Sequence, residues 1–480
     1  MMSKQQFIKQ IATEKAKKLP IVNDDQWRNE FHIQAPIGWI NDPNGLCYFK
    51  GLYHVFYQYS PLDAKGGLKF WGHYTSPDMV NWTEHEVALF PDISEDIDGV
   101  YSGSAVIYND EMYLFYTGNV KHRDGDYDYI LTGREQNVIM VKSTDGFNFS
   151  EKQVLLTNED YPKNMGLHVR DPKVWEEDGI FYMVLGARSV DDKGYVLLYK
   201  STSLTDWELV SVPAGGLEDM GYMWECPDTF KLNGKDIFMF SPQGMDADGL
   251  KYHNVYQSGY AVGSFDESKQ VLSLGAFDEL DRGFDFYAPQ TFKNHDGRII
   301  MYGWAGVPDA IDHVNPTIEK GWQHCLTLPR ELVLKGEKLY QLPVEELKSL
   351  RKDEIKIEDI ALSEAKAFEL FENNTYELSL DFTDTNSFEL SFREDCKLTW
   401  NEGIFTLSLG NSGYGRDYRH VAIESISNVH LYSDNSIIEI YLNGGEEVFT
   451  SRIYNNQLDK NLALVGTGYA TLTKWSLSTK

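Results

Sequence analysis

At 480 residues the chain is too long for one ordinary hydrophobic core, and two domains are expected. Its 73 Asp and Glu against 44 Lys and Arg give a formal charge of −29, a field that repels nucleic acid and anionic lipid, so neither is expected as a partner. A hydrophobic fraction of 42%, with 11 Trp, 29 Tyr and 25 Phe, excludes a disordered chain.

The first stretch, "MMSKQQFIKQIATEKAKK", sets Lys or Glu every few residues and has no apolar core of signal-peptide length. It reads as an amphipathic helix, so residues 1–30 are taken as an N-terminal helical extension. No run approaches 18 apolar residues, and a soluble, cytoplasmic protein without membrane contact is expected. Cys47, Cys226, Cys325 and Cys396 are widely spaced within apolar stretches, which points to reduced, buried thiols. "DGDYDYILTGRE" (Asp124 to Glu135) has acids at calcium-loop positions, but Tyr129 stands where the loop needs Gly, so a solvated acidic loop is expected and no metal or cofactor.

Five stretches then share one pattern. They are "LCYFKGLYHVFYQYSP" from Leu46, "AVIYNDEMYLFYTG" from Ala105, "KVWEEDGIFYMVLGAR" from Lys173, "TFKLNGKDIFMFSPQG" from Thr229 and "TFKNHDGRIIMYGWAG" from Thr291. Each is an apolar strand, a short turn of Gly, Asp, Asn or Lys, and a second strand dense in aromatics, Met and Leu. The spacing leaves room for two more short strands each time, which predicts an all-β, five-bladed β-propeller over residues 31–342. After a short helical pattern in a linker over 343–354, stretches such as "TYELSLDF" and "IIEIYLNGG" alternate with period 2 and predict a β-sandwich over 355–480.

Just before the first, third and fourth hairpins stand Asn41-Asp42-Pro43, Arg170-Asp171-Pro172 and Glu225-Cys226-Pro227. The second has Ser102-Gly103-Ser104 there and the fifth Tyr287-Ala288-Pro289. Acid-Pro pairs are ordinary strand starts, but that origin alone would put them in no special register. Equivalent positions of successive blades ring the central opening, so Asp42, Asp171 and Glu225 are expected to converge on one funnel. Mutually repelling carboxylates serve function rather than stability. Two carboxylates flanking a cavity are what glycoside cleavage needs, and Trp39, Trp71, Tyr101, Trp224 and Trp304 suit a sugar pocket.

"WINDPNG", "YHVFYQYSP", "WGHYTSPDMVNW", "YSGSA", "RDPKVW", "WECPD" and "FYAPQTF" resemble, in order, the motifs of glycoside hydrolase family 32, the invertase and β-fructofuranosidase family. "SIIEIYLNGGEEVFTSRIY" resembles that family's C-terminal sandwich. The resemblance implies a propeller plus sandwich and net retention at the fructosyl carbon, with Asp42 as nucleophile, Glu225 as acid and base, and Asp171 as transition-state stabiliser. It further implies Trp39, Asn41, Gln58, Trp71, Ser102, Gly103, Arg170 and Trp304 as contacts to a small sugar substrate. Where the family often carries a Trp on the aglycone side, this chain has Gly66-Gly67.

"FSPQG", "NVYQSGY" and the lack of a secretion signal are most similar to the intracellular bacterial branch that cleaves sucrose 6-phosphate into glucose 6-phosphate and fructose. Three alternatives are an invertase or fructan hydrolase on unphosphorylated sugars, a non-catalytic sugar-binding propeller and an inverting arabinan hydrolase. For a phosphate the candidate cations are Lys69, Lys121, His122, Arg123, Arg134, Lys251, His253 and Arg282, at least two of them expected on one funnel wall.

Overall fold

The five repeated hairpins form the inner half of five separate antiparallel sheets in a computed structural model that describes residues 2–266, 268–310 and 314–479. The inner pairs are Gly38–Phe49 with Leu52–Ser60, Val100–Tyr108 with Glu111–Lys121, Met165–Glu177 with Ile180–Ser189, Met223–Leu232 with Lys235–Gln243, and Tyr287–Lys293 with Ile299–Trp304. Their turn residues are local necessities. Asn109 and Asp110 adopt φ of 49° and 58°, and Asp178-Gly179 and Asn233-Gly234 are likewise left-handed, the two-residue turn whose twist matches the flanking strands. Further antiparallel strands complete each blade, as Arg134–Ser143 and Gln153–Leu156 do in blade two. Trp322–Gln323 returns from the last blade to pair in parallel with Gly38–Trp39, which closes the ring.

The helix Lys4–Asn23 starts at a Ser3 capping box and lays Phe7 edge-on against Phe70 of blade one, ring centroids 5.1 Å apart. No helix among the described residues is long and apolar enough to cross a membrane.

Two six-stranded antiparallel sheets follow the propeller and enclose a core that includes Leu378, Leu390, Leu398, Phe405, Leu431 and Phe449. This sandwich begins earlier than residue 355. The segment over 343–354 holds a 3-10 helix, Glu345–Leu350, and then the strand Arg351–Ala361. That strand hides from a hydrophobic pattern because it is a sheet edge whose residues are mostly exposed and charged, the usual protection of an open edge.

The two domains meet on buried charge. Arg330, fully enclosed, reaches Glu439 at 2.7 Å and Asp281 at 3.0 Å, and His32 lies 2.9 Å from Asp434 and 3.2 Å from Glu439. Burial alone would lower the His32 ionisation, but the two carboxylates raise it to about 9.

Candidate active site

Every blade carries a β-bulge at the same place on its innermost strand. Two residues there oppose one on the neighbouring strand: Asn41 and Asp42 oppose Gln58, Tyr101 and Ser102 oppose Thr117, Asp171 and Pro172 oppose Leu185, Cys226 and Pro227 oppose Phe240, and Ala288 and Pro289 oppose Gly303. A bulge bends its strand and re-aims side chains, here toward the axis. Asp171, Cys226 and Ala288 take φ of 63°, 47° and 48°, strained values for residues with a Cβ. The three acids are therefore not equivalent, as the motif spacing had suggested. Glu225 is the last paired residue before its bulge, Asp171 the first bulged residue and Asp42 the second. A narrow axial channel bounded by Pro43, Ser102, Asp171, Cys226 and Ala288 shows that all five blades reach the same opening.

Asp42 is held by neutral donors. Ser102 Oγ donates to its Oδ2 at 2.5 Å, Asn41 Nδ2 to Oδ1 at 3.0 Å and Gln58 Nε2 to Oδ2 at 3.4 Å. Burial raises the Asp42 ionisation, and the hydrogen bonds from Ser102 and Asn41 oppose it. Asp171 accepts the Cys226 N–H at 3.0 Å and has Arg170 Nε at 4.0 Å, and burial pushes its carboxyl up to about 7. Glu225 has a different setting. Arg170 donates to its Oε1 from Nη2 at 2.7 Å and Nε at 3.0 Å, while Tyr287 and Gln243 donate to Oε2 at 2.6 and 2.7 Å. The Cys226 thiol sits 3.8 Å from Asp42 and 3.7 Å from Asp171, held protonated by burial and by the surrounding carboxylates.

Arg170 is fixed on its other side by Gln136 Oε1 at 3.2 Å and His168 Nδ1 at 2.7 Å. Arginine has no lone pair to offer, so His168 accepts at Nδ1 and donates its Nε2–H to the Tyr129 carbonyl at 2.9 Å. Burial and the two arginines Arg170 and Arg134 keep that imidazole neutral, with its ionisation down at about 2.

The aromatic expectations divide. Trp39 donates its indole N–H to Asn41 Oδ1 at 2.8 Å and lies 5.6 Å from Trp304, whose own Nε1 is buried without a partner beside the site. Trp71 is not a wall of this pocket. It is fully buried among Phe56, Tyr116 and Leu114 and spends its N–H on the Tyr101 carbonyl, because the strand alternation turns it into the interface of blades one and two. Trp224 is likewise core, packed on Phe240. Gly103 contributes backbone packing: its N–H meets Asn44 at 3.0 Å, its carbonyl meets Gln290 at 2.7 Å, and a Cβ would lie 1.9 Å from the Phe115 oxygen.

The cations sort by partner. Arg282 is buried in ion pairs with Glu279, Glu447 and Asp278, far from a ligand role. Arg123 pairs with Asp98, His122 with Glu135 and Lys251 with Asp278, while His253 bonds the Gly249 carbonyl. Lys69 donates to Asn41 Oδ1 at 2.9 Å and stands 5.0 Å over the Trp39 ring, beside the space left open by Gly66. Tyr287, Gln243, His168 and Gln136 complete the site but were not singled out from sequence. Tyr287 occupies in blade five the register position of Arg170 and Glu225, each two residues before the proline of its blade, and that shared spacing is the signal that could have found it.

Residues 32–343 match the glycosyl hydrolases family 32 N-terminal domain, and residues 346–478 match the family's C-terminal domain. The chain is 45% identical over 446 residues to a sucrose-6-phosphate hydrolase of Bacillus subtilis (strain 168), covering 91% of both chains. It is 37% identical to a raffinose invertase of Escherichia coli, covering 97% of this chain and 98% of that one. Among solved structures it superposes on a sucrose-6-phosphate hydrolase from Lactobacillus gasseri with TM-score 0.87 at 28% identity, covering 98% and 96% of the two chains. A Bombyx mori GH32 beta-fructofuranosidase gives TM-score 0.85 at 32% identity and 99% coverage of each. Five bulged blades, three of them aiming carboxylates at one axis, a sandwich docked behind them, and these matches along both domains place the chain in glycosyl hydrolase family 32.

Proposed function

We propose that the protein hydrolyses the β-fructofuranosyl bond of sucrose 6-phosphate with retention, releasing glucose 6-phosphate and fructose. The observation that carries the chemistry is the contrast between the two carboxyls. Asp42 is presented by neutral donors, whereas Glu225 is anchored to Arg170, Tyr287 and Gln243. Asp42 attacks the anomeric C2 of the fructosyl unit as Glu225 gives its proton to the bridging oxygen, so the C2–O bond breaks and glucose 6-phosphate departs. Water then gives a proton to the Glu225 carboxylate and its oxygen to C2, which breaks the ester to Asp42 and frees fructose. Asp171, fixed by the Cys226 N–H, takes hydroxyls of the fructosyl ring, and Asn41, Gln58 and Trp39, backed by the Trp304 ring, supply further contacts.

Sequence likeness to the Bacillus subtilis enzyme supports the phosphorylated substrate, and likeness to the raffinose invertase supports the same cleavage on neutral sugars. The test is kcat/KM on both sucrose 6-phosphate and sucrose, with the anomer of newly released fructose read by NMR. A higher value for the phosphorylated sugar and initial β-fructose are expected. Initial α-fructose would rule out the double displacement.

A further inference from the structure

The rim of blade two holds a pair of cations that the fold does not neutralise. Lys121 ends the strand Glu111–Lys121, Arg134 begins the strand Arg134–Ser143, and the two stand directly opposite each other in register. Like charges directly opposite in an antiparallel pair destabilise it, and such pairs normally recruit a carboxylate. Here each nearby acid is already taken: Asp98 by Arg123 and by the Lys121 backbone N–H, Glu135 by His122, and Glu225 by Arg170. Among the described residues neither Lys121 nor Arg134 has an ion pair, and Arg134 Nε is buried without a hydrogen bond.

Their place in the fold is at the site end of blade two. Val100 pairs with Gly118 and Gly103 with Tyr116, so the ends carrying Lys121 and Arg134 lie at the same end of blade two as Ser102. Gln136, two residues beyond Arg134 and on the same strand face, holds Arg170, which holds Glu225. The loop between the two cations spans to blade three, where the Leu167 N–H meets the Ile130 carbonyl, and Lys121 stands 5.5 Å over the Tyr129 ring. The charges of Arg170 and Glu225 both act on Arg134.

We infer that Arg134, with Lys121 behind it, is the receptor for the 6-phosphate of the glucosyl unit. The sugar that leaves Glu225 extends toward this rim, and a dianion there meets a guanidinium with free N–H groups and relieves the repulsion between the two cations. Burial and the Arg170 charge pull the Arg134 ionisation down, a penalty the dianion also removes. Lys69 reaches the site from blade one, bonding Asn41 Oδ1 through its ammonium and the Val100 N–H through its carbonyl, and its charged neighbours are Asp42 and Asp63 rather than Glu225.

The inference rests on the proposed phosphorylated substrate, and one experiment separates the two. The values of kcat/KM for sucrose 6-phosphate and sucrose are measured for the wild type, Arg134→Gln, Lys121→Gln and Lys69→Gln, with glucose 6-phosphate as an inhibitor of sucrose cleavage. Expected is a wild-type preference for the phosphorylated sugar that falls at least about tenfold in Arg134→Gln and several-fold in Lys121→Gln, with inhibition by glucose 6-phosphate weakened in parallel. Lys121 is half-exposed at the rim, so that variant reads the same contact should Arg134→Gln fail to fold. A preference left intact in both variants, or lost only in Lys69→Gln, overturns the rim site and leaves the substrate reading standing. A wild type that treats the two sugars alike overturns the substrate reading and this inference with it.

Discussion

Arg170 grips Glu225 through two nitrogens, Nη2 at 2.7 Å and Nε at 3.0 Å, both on the one oxygen Oε1. The opposite edge of the same guanidinium is set by Gln136 and His168, so its plane is fixed from both sides. Oε2 is left to Tyr287 and Gln243. One arginine therefore sets the orientation of the Glu225 carboxyl.

A lysine at 170 would keep the charge but could not span Glu225, Gln136 and His168 at once. Arg170→Lys is expected to lower kcat about a hundredfold, as misplacement of a reacting group does. Steady-state kinetics on sucrose check this, with the melting temperature as a control for folding.

The two carboxyl roles separate by leaving group. Glu225→Ala is expected to slow sucrose cleavage by about 10² to 10⁴, the usual worth of general acid catalysis, yet to spare most activity on β-fructofuranosyl fluoride, which leaves without a proton. Asp42→Ala is expected to lose both. Equal losses on the fluoride would assign the roles wrongly.

Trp71 and Trp304 should part stability from binding. Trp71→Phe removes the bond to the Tyr101 carbonyl inside the core and is expected to lower the melting temperature with little change in KM. Trp304→Phe shrinks the ring that backs Trp39, 5.6 Å away, and is expected to raise KM about fivefold by loosening that wall of the site. Calorimetry and initial rates on the two variants decide it.

His32 predicts how the domain junction responds to pH. Its ionisation is raised from 6.5 to about 9 in the folded protein, so its stabilisation is whole below pH 6.5 and is lost as pH climbs to 9. Glu439 moves the other way: burial pushes it up, but Arg330 and His32 bring it from 4.5 down to about 2, so its contribution is present above pH 4.5 and is lost as pH falls toward 2. Between those limits this pair adds no slope to the melting temperature, and it adds a decline on each side. His32→Gln should remove the alkaline decline, worth about 3 kcal/mol at most.

The five hairpins, their turns and the alternating strands of the sandwich were legible in the sequence because each depends on neighbours a few residues apart. Asp42, Asp171 and Glu225 were legible too, since an acid one or two residues before a proline at the mouth of a repeated strand marks a repeated place on a ring. Their inequivalence was legible only for Glu225, which stands one residue further from its proline than Asp42 and Asp171 do. A bulge shifts register by one residue, and where an acid falls on it depends on the partner strand, so only the folded blades separate Asp171, first in its bulge, from Asp42, second in its own. The same holds for side chains whose role is set by what lies opposite. Trp71 and Arg282 look like ligands for a sugar and a phosphate, yet long-range packing gives the first to a blade interface and the second to three acids at the domain junction. Lys121 and Arg134 look like two solvated charges thirteen residues apart, and pairing of their strands sets them face to face without an acid between them. Local chemistry is written along the chain, while the balance of charge around each group is a property of distant segments brought together.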